Sequence, residues 1–224
     1  MPIVEESEQN SPSFSTEVMT ELAKHSKPRE QMLFVVAGAG GFRIGEVLGI
    51  EIGKHLSADC STVFVKQQAR RGRVENRLKT VSAYREVDLP SDVAELLKGF
   101  VGNRTSGFLF QTKGGKPLTL TNILRRHLHP ALKKVGYVNP YTGTNKAGSH
   151  AFRRFRNTYL KNETSCPKGL RDYWLGHKGD SMDDLYDKGQ TQRPIAEEMG
   201  GGMWDWLRTS GLNCTECTEK SRES

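Results

Sequence analysis

The segment "SHAFRRFR", residues 149–156, sets His150 and Arg153 three residues apart at what reads as the start of a helix, so the two project on one side. Free backbone N–H groups and the positive end of the helix dipole add to the pair, and together they favour a phosphate. In "GGFRIGE" Arg43 follows a glycine turn, with Glu46 on the same helical face to orient it. Lys79 falls in a turn region ahead of the strand-like "AYREVDLP"; His177 follows Gly176 at a helix end, and Tyr186 stands among Asp183, Asp184 and Asp187. Taken singly, each has a structural reading: a capping histidine on a solvated basic face, an intrahelical salt bridge, a solvated hairpin lysine, a helix-end cap and a packing tyrosine. Taken as chemistry, guanidinium forks stay charged and match phosphate geometry, an ionised phenol is a nucleophile, and a lysine on a turn can protonate a leaving oxygen.

The elements that must position these groups are mostly helical, with a small β component. "TEVMTELAKH" and "REQMLFVVAG" have helical apolar spacing; glycines 38, 40 and 41 interrupt, and "RIGEVLGI" resumes with Ile44, Val47 and Leu48 on one stripe. "STVFVKQQ" and "AYREVDLP" read as strands joined by the basic segment "ARRGRVENRLKTVS", and "GFLFQTKGGKPLTL" reads as a third strand followed by a turn. "TNILRRHLHPALKKVG" reads as a helix with Leu124, Leu128, Leu132 and Val135 inward and a bend at Pro130. Ser149 is the expected N-cap of the next helix, which buries Phe152 and Phe155. "CPKGLRDYWLG" sets Leu170 and Trp174 one turn apart and stops at Gly176, and "SMDDLYDKG" has the form of a capping box opening a short helix that carries Tyr186. Residues 1–14 read as a disordered leader, 15–208 as one catalytic domain and 209–224 as a flexible tail.

Charge points to the partner. The chain of 224 residues carries +7, and since residues 1–30 are net acidic the remainder carries +10. A body this basic favours a polyanion, nucleic acid before membrane, because no cationic amphipathic helix with a bulky apolar face stands out. The start "MPIVEESEQN" has no apolar signal region and the longest uncharged apolar run, "MLFVVAGAGGF", is too short to span a bilayer, so a cytoplasmic protein is expected. Cys60, Cys166, Cys214 and Cys217 do not form a secreted disulfide framework, and the "CTEC" pair lacks a second ligand pair for a metal.

In that order — Arg43, Lys79, His150-x-x-Arg153, Leu-Gly-His177, Tyr186 — the chain resembles the catalytic domain of the tyrosine recombinase (phage integrase) family. The resemblance runs over residues 15–207 and is strongest in "GFRIGEVL", "LKTVSAYREVDL", "HAFRR" and "LGH" followed by "DDLYDK". It implies a mainly α, α+β DNA breaking-rejoining fold with a small antiparallel sheet at one edge. It further implies that Arg43 and Arg153 hold the scissile phosphate, His150 and His177 make further phosphate contacts, Lys79 is the general acid, Glu46 supports the site and Tyr186 is the nucleophile. Arg154 departs from the family pattern by standing where a histidine is common, and "CPKGLRDYW" lacks the usual apolar run before Leu-Gly-His. Family members also carry a helical core-binding domain ahead of this one, which residues 1–14 cannot supply, so the chain reads as a catalytic fragment or a minimal member.

The expected function is site-specific recombination or integration: cleavage and rejoining of duplex DNA through a 3′-phosphotyrosyl intermediate, by a homo-oligomer, a tetramer, on DNA. No metal, cofactor or ATP is expected, since arginines supply the positive charge and the covalent bond retains the energy of the ester. Arg70, Arg71, Arg73 and Arg77 in the basic segment 66–85, and Arg154 and Arg156 in the basic segment 146–171, are expected to contact DNA phosphates, and the bound protein would be nucleoid-associated. The alternatives are a type IB topoisomerase-like strand relaxation and a catalytically silent DNA-binding module. Lys66, Arg77 and Arg85 compete with Lys79 for the proton-donor role because they share its hairpin.

Overall fold

The computed structural model describes residues 12–75, 78, 83–177 and 193–198. Tyr186, Lys79, Arg77, the capping box of "SMDDLYDKG", Cys214, Cys217 and the tail from 209 lie outside the described residues.

Helix α2, Pro28–Gly40, is buried from Glu30 onward, since neighbours cover it on every side. Helix α1, Thr16–Lys24, packs Met19, Leu22 and Ala23 against it, with Ser15 Oγ accepting from Val18 N–H at its N-terminus. From other sides α4, Ser91–Val101, contributes Val93 and Leu97, and α7, His150–Asn162, contributes Phe152 and Phe155. Phe34 stacks on Phe152 at 5.4 Å, and Phe14 meets Phe152 and Tyr137 edge-on at 5.1 and 5.5 Å. The core therefore begins inside the expected leader: Phe14 is buried, because a phenylalanine beside two aromatic edges gains more from packing than from solvent.

Glycines 38 and 40 remain within α2, and the chain breaks only at Gly41, where φ is +61°. Helix α3, Ile44–Leu48, follows at once and buries Ile44, Val47 and Leu48 as the stripe requires. Among the described residues the strands form two antiparallel pairs. Strand β1, Thr62–Val65, pairs with β4, Arg85–Asp88, in the register Thr62 to Asp88 through Val65 to Arg85. Between them β2, Gln68–Arg70, and β3, Arg73–Glu75, fold back on each other. Sequence pattern does not announce this hairpin within the basic connecting segment, because its two-residue turn is Arg71-Gly72, with φ +51° and +75°, rather than the usual Asn-Gly. The third strand is absent as a strand: residues 108–117 make only isolated pairings, Glu51 with Phe108 and Gln111 with Pro117, and Pro117 has no N–H to extend a ladder.

The helix over 120–134 is interrupted ahead of its proline by a widened turn. Leu120–Asn122 (α5) leads into a π-helical stretch, Ile123–Leu128, before α6, His129–Lys134. Pro130 has no N–H for the carbonyl four residues back and its ring crowds that carbonyl, so the preceding turn expands. Ser149 does not cap α7; its own backbone is already helical (φ −64°, ψ −18°), which points its hydroxyl away from the first-turn N–H groups. Helix α8, Lys168–Leu175, stops at Gly176 with φ +63° as expected. Residues 193–198 are helical and dock on α4, where Glu197 accepts the Ser91 N–H at 2.9 Å and supplies the acidic cap that Pro90 cannot. Among the described residues no helix is long and apolar enough to cross a membrane.

Candidate functional site

Three chain breaks converge. Gly41 ends α2 and Arg43, extended at φ −65° and ψ 140°, leads into α3. Glu46, in the first turn of α3, accepts the Arg43 backbone N–H at 2.9 Å and Arg43 Nη1 at 3.1 Å, so one carboxylate caps the helix and orients the arginine. Glu46 is buried while the Arg43 side chain is 41% exposed. Among the described residues Arg43 Nε and Nη2 make no hydrogen bond.

Behind this pair stands Arg85, whose place in the sequence marks it only as a rival of Lys79 for the proton-donor role. Arg85 opens β4 with its guanidinium fully buried, donating to Glu46 Oε2 at 2.8 Å and Oε1 at 3.2 Å. Strand alternation could have found it: Arg85, Val87 and Leu89 share the buried face, and an arginine there must have an internal partner. Burial pushes the Glu46 carboxyl up, but the hydrogen bonds and charge of Arg85, with the N–H and charge of Arg43, hold it below the usual carboxylate range.

Arg153 projects from the first turns of α7 into the same place. Nη1 donates to the Gly41 carbonyl at 3.1 Å and Nη2 to the Leu175 carbonyl, so the guanidinium ties the end of α2 to the end of α8. It is 8% exposed, and no carboxylate among the described residues pairs with it. Burial, then the charge of Arg43, pushes it down to about 10, against the pull of Glu46. A buried, under-neutralised cation beside a second arginine is an anion site in wait. Gly41 is required at this junction: a Cβ there would lie 2.8 Å from Arg156 Cδ and 3.1 Å from Leu175 Cδ2, in a left-handed conformation as well.

His177 follows Gly176 on the rim. Its N–H donates to the Asp172 carbonyl at 2.9 Å and Nδ1 lies 3.6 Å from Asp172 Oδ1. Burial, then the charge of Arg153, lowers its pKa; Asp172 pulls it up and Arg43 lowers it further. Arg43, Arg153 and His177 are thus electrostatic neighbours. His150 opens α7, exposed, one turn before Arg153.

Of the residues expected to touch DNA, Arg70, Arg71 and Arg73 are exposed on the β2–β3 hairpin and Arg154 is half-buried on α7. Arg156 is a correction. It is fully buried, its guanidinium 4.6 Å from the centre of the Trp174 ring, and burial pushes it down to about 9. On a helix Arg156 lies four residues from Phe152, on the inward face, so the basic run cannot be wholly solvated. Its stem packs on Gly41 and its head on an indole, a structural cation–π contact. Among the described residues no cluster of His, Cys, Asp and Glu could hold a metal ion, and Cys60 and Cys166 are buried and unlinked.

A family model described as the phage integrase family matches residues 13–193. Among solved structures, the Tn1549 transposon integrase in complex with transposon right-end DNA superposes with a TM-score of 0.60 at 20% identity, covering 93% of this chain and 67% of that one. The same integrase with circular intermediate DNA gives 0.56 at 20% identity, covering 83% and 68%. XerA recombinase gives 0.57 at 18% identity, covering 88% and 66%. At these identities the likeness is one of fold, and the chain spans about two thirds of each. No curated protein matches the chain.

Proposed function

The chain belongs to the phage integrase family, the tyrosine recombinases, and from that premise we propose that it cleaves and rejoins duplex DNA through a covalent bond between Tyr186 and a 3′ phosphate. The solved integrase relatives are bound to transposon DNA and circular intermediate DNA, which supports duplex DNA as the partner here. The observation that carries the reading is Arg153: a buried guanidinium with no carboxylate of its own among the described residues, close enough to the part-exposed Arg43 to feel its charge.

In the proposed reaction Arg43 and Arg153 bind the non-bridging oxygens of the scissile phosphate and stabilise the charge that grows in the pentacoordinate transition state. Loss of either is expected to cost about 10²–10³ in rate. His177, beside Asp172 on the rim, contacts the phosphate through its ring. His150 contacts the same phosphate from the N-terminus of α7. Glu46 holds Arg43 in place. Lys79 protonates the leaving 5′ oxygen, and Tyr186, a phenol with an ordinary pKa of about 10, attacks once the cationic field favours its ionisation. A 5′ hydroxyl of another strand then displaces the tyrosine and restores the phosphodiester. Arg70, Arg71, Arg73, Arg77 and Arg154 would bind backbone phosphates beside the site, the catalytic domain would run to residue 208 from Phe14, one residue ahead of the expected start at 15, and recombination would proceed in a tetramer on DNA.

The test is incubation with a nicked suicide duplex that carries the target sequence, so that the severed strand diffuses away and the intermediate is trapped. A protein–DNA adduct should form with the unaltered chain and vanish in Tyr186→Phe while DNA binding persists. An adduct that survives the substitution, or maps to Tyr159 or Tyr173, would overturn the assignment.

A further inference from the structure

We propose that Arg85 is a positioning residue for strand cleavage, holding the Arg43–Glu46 pair, the end of α8 and the chain that enters β4 in one fixed relation; this rests on the recombinase reading. All three guanidinium nitrogens are engaged: Nε donates to the Trp174 carbonyl at 2.6 Å, Nη1 to the Ala83 carbonyl at 2.9 Å and to Glu46 Oε1 at 3.2 Å, and Nη2 to Glu46 Oε2 at 2.8 Å. Each acceptor stands beside a group the chemistry needs. Glu46 orients Arg43. Trp174 precedes Leu175, whose carbonyl receives Arg153, and comes three residues before His177. Ala83 follows Lys79 by four residues. A planar fork spreads its donors over three nitrogens and meets both oxygens of Glu46 and two carbonyls at once, whereas a lysine's three donors radiate from one nitrogen and cannot match that spacing.

Charge gives Arg85 a second effect. Each oxygen of Glu46 accepts one bond from Arg43 and one from Arg85, so the carboxylate is shared between them. Without Arg85, the buried carboxylate would have Arg43 as its one hydrogen-bonded cationic partner among the described residues. Arg43 would then be drawn into a full ion pair and its remaining donors turned away from the phosphate. Arg85 thus keeps Glu46 an orienting group and prevents it from sequestering the arginine it supports.

The experiment uses the full chain with Arg85→Lys, and with Arg85→Met alone and combined with Glu46→Gln. Adduct formation on the nicked suicide duplex is followed in single turnover at saturating protein, and DNA affinity and thermal melting are measured on the same preparations. Arg85→Lys should remain folded and bind DNA as the unaltered chain does, yet form adduct about 10- to 100-fold more slowly, the effect expected from a misplacement of about 1 Å. Adding Glu46→Gln to Arg85→Met should raise the rate above that of Arg85→Met, since a neutral amide does not capture Arg43. An Arg85→Lys variant with the unaltered rate overturns the proposal, as does a rate loss matched by an equal loss of DNA affinity or of folded fraction. If Arg85→Met does not fold, Arg85→Lys decides alone. Absence of adduct from the unaltered chain would instead overturn the recombinase reading beneath it.

Discussion

Arg153 donates to the carbonyl of Gly41, 112 positions earlier in the chain, at 3.1 Å, and Gly41 holds that carbonyl in place from a left-handed conformation with φ +61°. A side chain at position 41 therefore strains the backbone, strikes Arg156 and Leu175, and moves an acceptor of the proposed phosphate site, all at once.

Gly41→Ala should lower unfolding free energy by about 2 kcal/mol or more, combining left-handed strain with overpacking. Gly115→Ala has the same sign of φ (+72°) but nothing within 4 Å of the added methyl, so it should cost only the strain, about 1 kcal/mol. Chemical denaturation of the two variants checks this; equal losses would mean that contact with Arg156 and Leu175 contributes nothing.

The hairpin arginines and Arg156 should separate by salt dependence. Arg71→Ala removes an exposed charge and should reduce the slope of log affinity against log salt by about 1, with little change in melting temperature. Arg156→Leu should leave the slope unchanged, because its guanidinium is buried against Trp174. A slope that falls for Arg156→Leu in a folded protein would restore that residue to the DNA-contacting surface.

Glu46 gives a pH dependence with a definite sign. Its folded pKa lies below the ordinary 4.5, so its contribution is fully present above that value and is lost as pH falls through the folded pKa. At pH 7 Glu46→Gln should be less stable by about 3 kcal/mol, because Arg85 is left buried without its counter-charge. The gap should narrow below about pH 4.5, where the carboxyl itself is neutralised, and urea titrations across pH 3–7 read it directly. A gap that widens on acidification contradicts the ion pair.

For Lys79 the decisive substrate carries sulfur at the bridging 5′ position. An alkoxide leaving group, its parent alcohol near a pKa of about 16, needs an acid, whereas a thiol titrates near 8.5 and leaves unaided. Sulfur should restore cleavage to Lys79→Ala and not to Arg43→Ala or Arg153→Ala, whose charges act on the phosphoryl oxygens. Rescue of Lys66→Ala instead would move the role, although Lys66 Nζ lies over the Phe64 ring at 5.3 Å.

Chelation supplies the last check. Two arginines and the flanking donors provide the positive charge that a metal nuclease takes from its ion, so adduct formation should proceed equally in EDTA. Loss of cleavage in EDTA that Mg²⁺ restores would identify different chemistry.

What the sequence by itself determined is local. Arg43 with Glu46 in the first turn of α3, His150 one turn before Arg153, and Gly176 closing α8 ahead of His177 follow from helical spacing and from the φ that glycine alone adopts easily, and the structure keeps each of them. The mainly helical architecture was legible from the same spacing, and β1 and β4 from the strand-like runs "STVFVKQQ" and "AYREVDLP". Strand alternation and the spacing from Phe152 turn Arg85 and Arg156 inward, but tertiary structure alone decided what each meets there. Arg85 and Arg156 are indistinguishable in type from Arg71, but one closes an ion pair with Glu46 across 39 positions, the second lies on Trp174, and the third sits at a hairpin tip in solvent. Likewise no spacing rule announces that Arg153 would find carbonyls at Gly41 and Leu175. An arginine's role depends on whether burial removes its water, and burial is set by elements far apart in the chain that meet only when the core is packed.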